Sequence, residues 1–138
     1  MYFICYKSIL NQTTSQDELT KILDAAKSNN AKKDITGMLL FIQNQFIQYI
    51  EGEETAIKSL FEKIRKDPRH YSVQIMSEGN NKTRHFSGWT MGYKALDEDD
   101  LEDIAEMNKM PGLSIEKLLN EATPHYAIEL LKVFYNKD

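Results

Sequence analysis

The sequence predicts an α+β protein: a ferredoxin-like, five-stranded mixed sheet with two helices on one face, followed by C-terminal helices. Three observations carry that expectation. Leu19, Ile22, Leu23 and Ala26, and again Ile57, Leu60, Phe61 and Ile64, recur at helical spacing. Short apolar, aromatic and β-branched runs flank these stripes and are bounded by Gly, Asn and Pro. The order is strand, helix, strand, strand, helix, strand, strand, and its first six elements are the split βαβ arrangement.

Met1 to Tyr6 reads as the first strand, with Cys5 and Tyr6 on opposite faces because side chains alternate. Asn11 to Thr14 is a polar loop. Ser15-Gln16-Asp17-Glu18 is a capping box opening the first helix. That helix is expected to end near Asn29-Asn30, since asparagine tolerates the left-handed conformation of a C-terminal cap. Ile35-Thr36-Gly37 leads into a strand from Met38 to Ile42. Gln43-Asn44-Gln45 turns the chain, and Phe46 to Glu51 completes a hairpin that Gly52 breaks. The second helix is closed by Asp67-Pro68. Tyr71 to Met76 is the fourth strand, followed by a turn at Gly79-Asn80-Asn81. Phe86 to Tyr93 is the fifth, with Gly88 and Gly92 inside it and Trp89 and Met91 on one face.

From Leu96 the composition turns acidic. A helix is expected through Leu101, Ile104 and Ala105 to Pro111-Gly112, another over Ser114 to Leu119, and a last one capped by Thr123-Pro124 with Ala127, Ile128, Leu131 and Tyr135 as its apolar face. The expected organisation is a core over residues 1–95 and a helical extension over 96–138 that packs back on it, without repeats or a flexible linker.

The 138 residues suit one domain with a hydrophobic core. Lys and Arg total 17 against 21 Asp and Glu, a net charge of −4, which disfavours general binding of nucleic acid or anionic membrane. The single cysteine, Cys5, allows no internal disulfide and fits a reducing cytoplasm; in its apolar run it reads as a small buried hydrophobe. The start of the chain has neither a basic n-region nor a long apolar h-region, and no run of about twenty apolar residues exists to span a membrane. A cytoplasmic location is expected. There is no Walker A loop, GxGxxG, HExxH or Cys/His cluster, and His70, His85 and His125 lack metal-ligand spacing.

Gln48 is unusual in lying within Phe46-Ile47-Gln48-Tyr49-Ile50, with apolar residues on both strand faces. Its amide must find partners, because an unpaired buried amide costs about 1–3 kcal/mol. Taken alone it is as consistent with a structural amide bonded to backbone or to a tyrosine hydroxyl. Tyr6 alone is consistent with core whose hydroxyl is satisfied. Trp89 and Met91 suit core packing, or polarizable groups flanking a ring. Lys63, Arg65, Lys66, Arg69 and His70 form a basic cluster. It suits a solvated helix end favoured by the macrodipole, or a phosphate site.

Taken together, these residues resemble a known family. Tyr6 with Ser8, Asn29-Asn30, Ile35-Thr36-Gly37, Phe46-Ile47-Gln48 running into Glu51-Gly52, Asp67-x-Arg69-His70, Arg84-x-Phe86 and Trp89-x-Met91-Gly92 stand in the order and spacing of a BLUF (blue light using flavin) domain over residues 1–93. No single element is specific, whereas the ordered set is. The tail resembles, more loosely, the helical extension of short stand-alone BLUF proteins.

The resemblance implies a blue-light photoreceptor that binds FAD non-covalently, with FMN or riboflavin as substitutes, its isoalloxazine held between the two helices beside the sheet. Tyr6 would be the photochemical electron and proton donor, and Gln48 would bridge its hydroxyl to flavin N5 and C4=O. Asn30, helped by Asn29, would bind the polar edge of the ring. Ser8, Lys63, Arg69 and His70 align with cofactor-binding positions near the ring or phosphates. Relatives often carry arginine at position 63; lysine keeps the charge but loses the planar fork. Trp89 and Met91 would relay a change at Gln48 outward. The implied role is a sensor and not an enzyme, with a separate downstream signalling protein and a homo-oligomer as partners. Two other readings compete with it. An acyl-phosphate hydrolase using Arg69 and Asn30 lacks a visible phosphate cradle. A light-independent interaction module is opposed by the presence of Tyr6, Asn30, Gln48, Trp89 and Met91.

Overall fold

The computed structural model describes residues 1–96. The helices expected in the tail, and their packing on the core, lie outside the described residues. The elements are β1 (Tyr2–Leu10), α1 (Gln16–Lys32), β2 (Thr36–Ile42), β3 (Gln45–Gly52), α2 (Glu54–Lys66), β4 (His70–Asn80) and β5 (Gly92–Leu96). The sheet order is β4-β1-β3-β2-β5. Its first four strands are antiparallel neighbours and β5 runs parallel to β2, giving the ferredoxin-like mixed sheet the sequence predicts.

The pleat separates two buried faces. Ile4, Tyr6, Leu39, Phe46 and Ile50 pack with Leu19 of α1 and with Ile57 and Phe61 of α2, so both helices lie on this side. Cys5, Met38, Leu40, Ile47 and Tyr49 point the other way and are also buried. Phe3 and His85 both stack on the Tyr49 ring there, with centroids at 5.1 and 5.5 Å. Cys5 and Tyr6 thus face opposite sides, opposite Tyr49 and Gln48 respectively.

Helix α1 starts where Ser15 Oγ accepts the Glu18 amide at 3.2 Å. It runs to Lys32, two residues past Asn30, so neither asparagine is its left-handed cap. The left-handed residue of its terminus is Asp34, with φ of 56°. The Ile35 amide donates to the Asn30 carbonyl at 2.9 Å, the six-to-one bond of a Schellman ending. The Asn30 side chain is engaged elsewhere, as described below. Glu53 caps α2, accepting the amides of Thr55 and Ala56 at 3.3 and 3.2 Å. Asp67 turns extended before Pro68, as a residue preceding proline must. The β2–β3 hairpin closes through Gln43 and Asn44, with φ of 46° and 65°, both left-handed as a type I′ loop requires.

Three strands differ clearly from expectation. β1 does not stop at Tyr6 but runs on to Leu10, because β3 and β4 supply pairing partners as far as Ile9 and Leu10. β4 continues through Gly79 to Asn80, because Phe3 and Tyr2 of β1 supply pairing partners that far. The segment Phe86 to Met91 is not strand. The Trp89 amide bonds the Phe86 carbonyl at 3.0 Å and Gly88 has φ of 86°, so the chain turns before the ladder begins at Gly92. Its aromatic residues serve burial instead of pairing: Phe86 is fully buried and packs edge-on to Tyr49. Trp89 and Met91 therefore precede β5. Since β4 and β5 are opposite edges, residues 81–91 must cross the sheet, and they cross its helix-free face. Asn81 Nδ2 donates to the Tyr49 hydroxyl at 2.7 Å, and the Gly37 amide donates to the Trp89 carbonyl at 2.9 Å.

Candidate functional site

A cavity opens between the two helices and the sheet. It encloses about 740 Å³ of space, part of it continuous with solvent. The stripes that make the helices amphipathic supply its apolar walls: Ile22, Leu23 and Ala26 from α1, Leu60 and Ile64 from α2. Tyr6, Leu39, Phe46 and Gln48 form the sheet side, and Asn29, Asn30, Asp67, Arg69, His70 and Met91 complete it.

Tyr6 and Gln48 are direct cross-strand partners, so their side chains stand on one face. The Tyr6 hydroxyl donates a hydrogen bond to Gln48 Oε1. Tyr6 also meets the Phe61 ring edge-on at 5.5 Å between centroids. Burial, with smaller contributions from Cys5 and Asp67, raises the phenol's pKa, so it remains a protonated donor. Gln48 Nε2 donates to Met91 Sδ at 3.2 Å, a weak acceptor. Gln48 is buried, as its apolar neighbours predict.

Asn30 is buried, and its Nδ2 donates to the Thr90 carbonyl at 2.7 Å, tying the last turns of α1 to the connector beside Met91. Asn29, one residue earlier, is exposed at the rim. Arg69 Nε reaches both Asp67 carboxylate oxygens, at 2.9 and 3.1 Å. That bond holds the Asp67 carboxyl below its ordinary range and raises the guanidinium. His70 Nδ1 lies 2.8 Å from Ser8 Oγ, and its Nε2 meets the Ile64 carbonyl, so this ring pins β4 to β1 and α2.

The structure does not gather every residue singled out from the sequence. The basic run splits up: Arg65 pairs with Glu62 at 2.9 Å, Lys63 is exposed on α2 and outside the cavity lining, and only Arg69 and His70 reach the rim. Ser8 is buried behind His70 and does not line the cavity. Met91 enters the cavity, whereas the Trp89 ring lies against Gly92 beside Met38, where a Cβ on Gly92 would collide with it. Thr90 carries no signature in the sequence, because it acts through its backbone carbonyl. Asp67 was legible as an acid two residues from Arg69, and Glu51 as a carboxylate inside an apolar strand.

These residues fit a flavin nucleotide. Apolar side chains from two helices flank a slot in which a flat ring can lie, with Asn30, Gln48 and Tyr6 as donors and acceptors for a polar ring edge. Arg69 at the mouth suits a phosphate-bearing tail. Among the described residues, no group of His, Cys, Asp and Glu is arranged to hold a metal ion, and no helix is long and apolar enough to cross a membrane.

Comparison with known proteins agrees. Residues 1–92 match the family described as "BLUF: Sensors of blue-light using FAD". The photoactivated adenylate cyclase subunit beta of Euglena gracilis is 34% identical over 89 residues, which is 64% of this chain and 10% of the relative. The blue light- and temperature-regulated antirepressor BluF of Escherichia coli (strain K12) is 31% identical over 70 residues, 51% of this chain and 17% of that protein. The chain thus spans between a tenth and a fifth of these relatives' length. Among solved structures, BlsA in its photo-activated state superposes with a TM-score of 0.79 at 28% identity, covering 96% of this chain and 94% of BlsA. Fold, cavity and family match converge: the chain belongs to the BLUF family of flavin-binding blue-light sensors.

Proposed function

We propose that residues 1–95 form the sensing core, that they hold FAD non-covalently between α1 and α2, and that Tyr6 and Gln48 are its light-driven switch. One observation carries this reading: inside the cavity, the buried Tyr6 hydroxyl donates to Gln48 Oε1 while the other end of the same amide rests on the Met91 thioether.

When bound and excited by blue light, the flavin supplies a strong one-electron oxidant. Tyr6 is the electron donor, since it is a phenol kept protonated by burial. Losing an electron makes its hydroxyl strongly acidic, and Gln48 Oε1 is the acceptor already at the end of its hydrogen bond. Return of the electron and proton restores Tyr6. The persistent change is in Gln48, whose amide carries an acceptor and a donor on opposite atoms, so a half-turn or tautomer shift reverses what it offers each neighbour. Redirected toward the polar edge of a bound flavin, its donor would lower the optical transition energy and so account for a red-shifted signalling state. The same motion gives up the weak bond to Met91, and Met91 leads directly into β5.

Asn30 and Asn29 would hold the polar rim of the ring, and Arg69, oriented by Asp67, would meet the phosphates. FMN and riboflavin share the ring contacts and would substitute for FAD. Lys63 and Ser8 act at a distance, Lys63 through charge at the end of α2 and Ser8 by orienting His70. Trp89 and Met91 pass the change outward. The output is a conformational change or altered partner binding, not turnover of a substrate. Residues 96–138 follow as the second part of the chain, and the inferred partners are a downstream signalling protein and further copies of the chain. A buried lone thiol is suited to a cytoplasmic setting.

The test is spectroscopic. The purified chain loaded with FAD should be yellow, shift its flavin absorption to longer wavelength under blue light and recover in the dark. Tyr6→Phe and Gln48→Leu should bind flavin and lose the normal shift. Protein that cannot be loaded would refute the sensor reading, and a normal photocycle in either variant would refute these roles.

A further inference from the structure

Glu51 is the one carboxylate buried to 0% exposure in the central strands, and the switch does not use it. It lies three residues from Gln48 on β3, so the pleat turns it to the opposite, helix-free face. There Glu51 Oε2 accepts from Thr36 Oγ1 at 2.7 Å and from the Phe86 amide at 2.8 Å, and Oε1 accepts from the His85 amide at 2.7 Å. Thr36 is its direct cross-strand partner on β2. Arg84 adds a further tie, donating to Thr36 Oγ1 at 2.9 Å and to the Asp34 carbonyl at 2.7 Å. Two successive backbone amides of the connector thus end on one side chain. A buried carboxylate that accepts several hydrogen bonds is a strong anchor, since charge-assisted bonds are roughly twice as strong as neutral ones.

The far end of this connector meets the flavin cavity. Four and five residues beyond Phe86, the Thr90 carbonyl accepts the Asn30 side-chain amide and Met91 Sδ receives Gln48 Nε2. Between these ends lie the turn at Phe86–Trp89 and the Gly37-to-Trp89 bond. We propose that Glu51 is a positioning residue for the switch: from the far side of the sheet it fixes the 84–91 connector, and through it the Thr90 carbonyl and Met91 sulfur that Asn30 and Gln48 engage. This rests on the reading of Gln48 as the moving group. A firmly held Met91 gives the Gln48 amide one preferred orientation and a barrier to leaving it. Loosening the anchor brings the two orientations closer in energy and lowers the barrier between them.

The experiment uses the full chain and two readouts. Glu51→Gln puts an amide NH₂ where an acceptor stood, and Thr36→Val removes the hydroxyl that orients the carboxylate. Thr36→Ser keeps it. Ile57→Val, fully buried on α2 and outside the cavity, serves as a control matched for lost thermal stability. In flavin-free protein, Glu51→Gln and Thr36→Val should exchange the amides of residues 85–91 faster than wild type. Loaded with FAD, both should recover in the dark about three- to tenfold faster, the rate equivalent of one lost hydrogen bond. Thr36→Ser and Ile57→Val should recover as wild type does. Unchanged recovery in Glu51→Gln and Thr36→Val, or an equal acceleration in Ile57→Val, overturns the proposal. If Glu51→Gln does not fold, Thr36→Val decides. If FAD-loaded wild type shows no light-induced shift, the photoswitch reading fails and the exchange arm still decides whether Glu51 fixes the connector.

Discussion

At the scale of single residues, Tyr6 and Gln48 show how far side-chain chemistry alone can be read. Each is an ordinary buried polar group when considered by itself. What makes them a pair is the β1–β3 register, which depends on contacts 42 positions apart and has no local signature. Only the ordered set of motifs pointed to it. Asn30 shows the opposite error: its helix-end position suggested a backbone cap, while the structure uses its amide across space on Thr90. Cys5 was legible, because an apolar strand start leaves a thiol nowhere to go but inward. It is fully buried, and burial pushes its thiol up to about 12. A protonated, inaccessible thiol is a poor nucleophile. The folded chain at pH 8 should therefore resist maleimide labelling and take up one equivalent when unfolded in urea. Rapid labelling of the native protein would show that β1 opens readily.

At the scale of elements, the helices and the first four strands were readable because periodicity and caps are local. The fifth strand was not. Phe86 to Met91 has strand-like composition, but its aromatic residues are spent on covering Tyr49 and Gly92 while the backbone turns. Composition reports burial and cannot tell a covering loop from a ladder. Two glycines separate the effects that set these boundaries. At Gly37, a Cβ would be driven into the backbone carbonyl of Tyr49 within the β2–β3 ladder, where nothing flexible can yield. At Gly88, nothing lies within 4 Å, but φ is +86°. Gly37→Ala should therefore lower stability by about 1–3 kcal/mol through overpacking. Gly88→Ala should cost about 1–2 kcal/mol through backbone conformation alone. Urea midpoints measure both, and the two differ in kind: Gly37→Ala should also disturb the exchange of the β2–β3 amides, and Gly88→Ala should leave them unchanged. Equal protection of that ladder in Gly37→Ala would contradict the close approach.

At the scale of the whole molecule, the central pair β1 and β3 carries ionisable groups into both buried faces: Tyr6 toward the helices, Cys5 and Tyr49 toward the opposite side. Desolvation is the first cause of the upward shift in all three, from ordinary values of 10.0 for the tyrosines and 9.0 for the thiol. For an acid whose folded pKa is raised, the unfolded chain releases its proton first, so the folded state holds more protons and stability falls with rising pH. That contribution is fully present below the unfolded value. The decline should begin near pH 9, where unfolded Cys5 ionises, and steepen above pH 10 as unfolded Tyr6 and Tyr49 join. Each group past its unfolded pKa removes about 1.4 kcal/mol per pH unit, against a total of about 5–15 kcal/mol for a domain. Urea unfolding of the flavin-free chain at successive pH values should trace a stability curve flat to about pH 9 and falling ever more steeply beyond. Cys5→Ala should move the onset about one unit higher while leaving the steep limb in place. Stability that stays level through pH 11 would mean that the sheet admits hydroxide without unfolding, and that these three side chains are less sealed than their burial indicates.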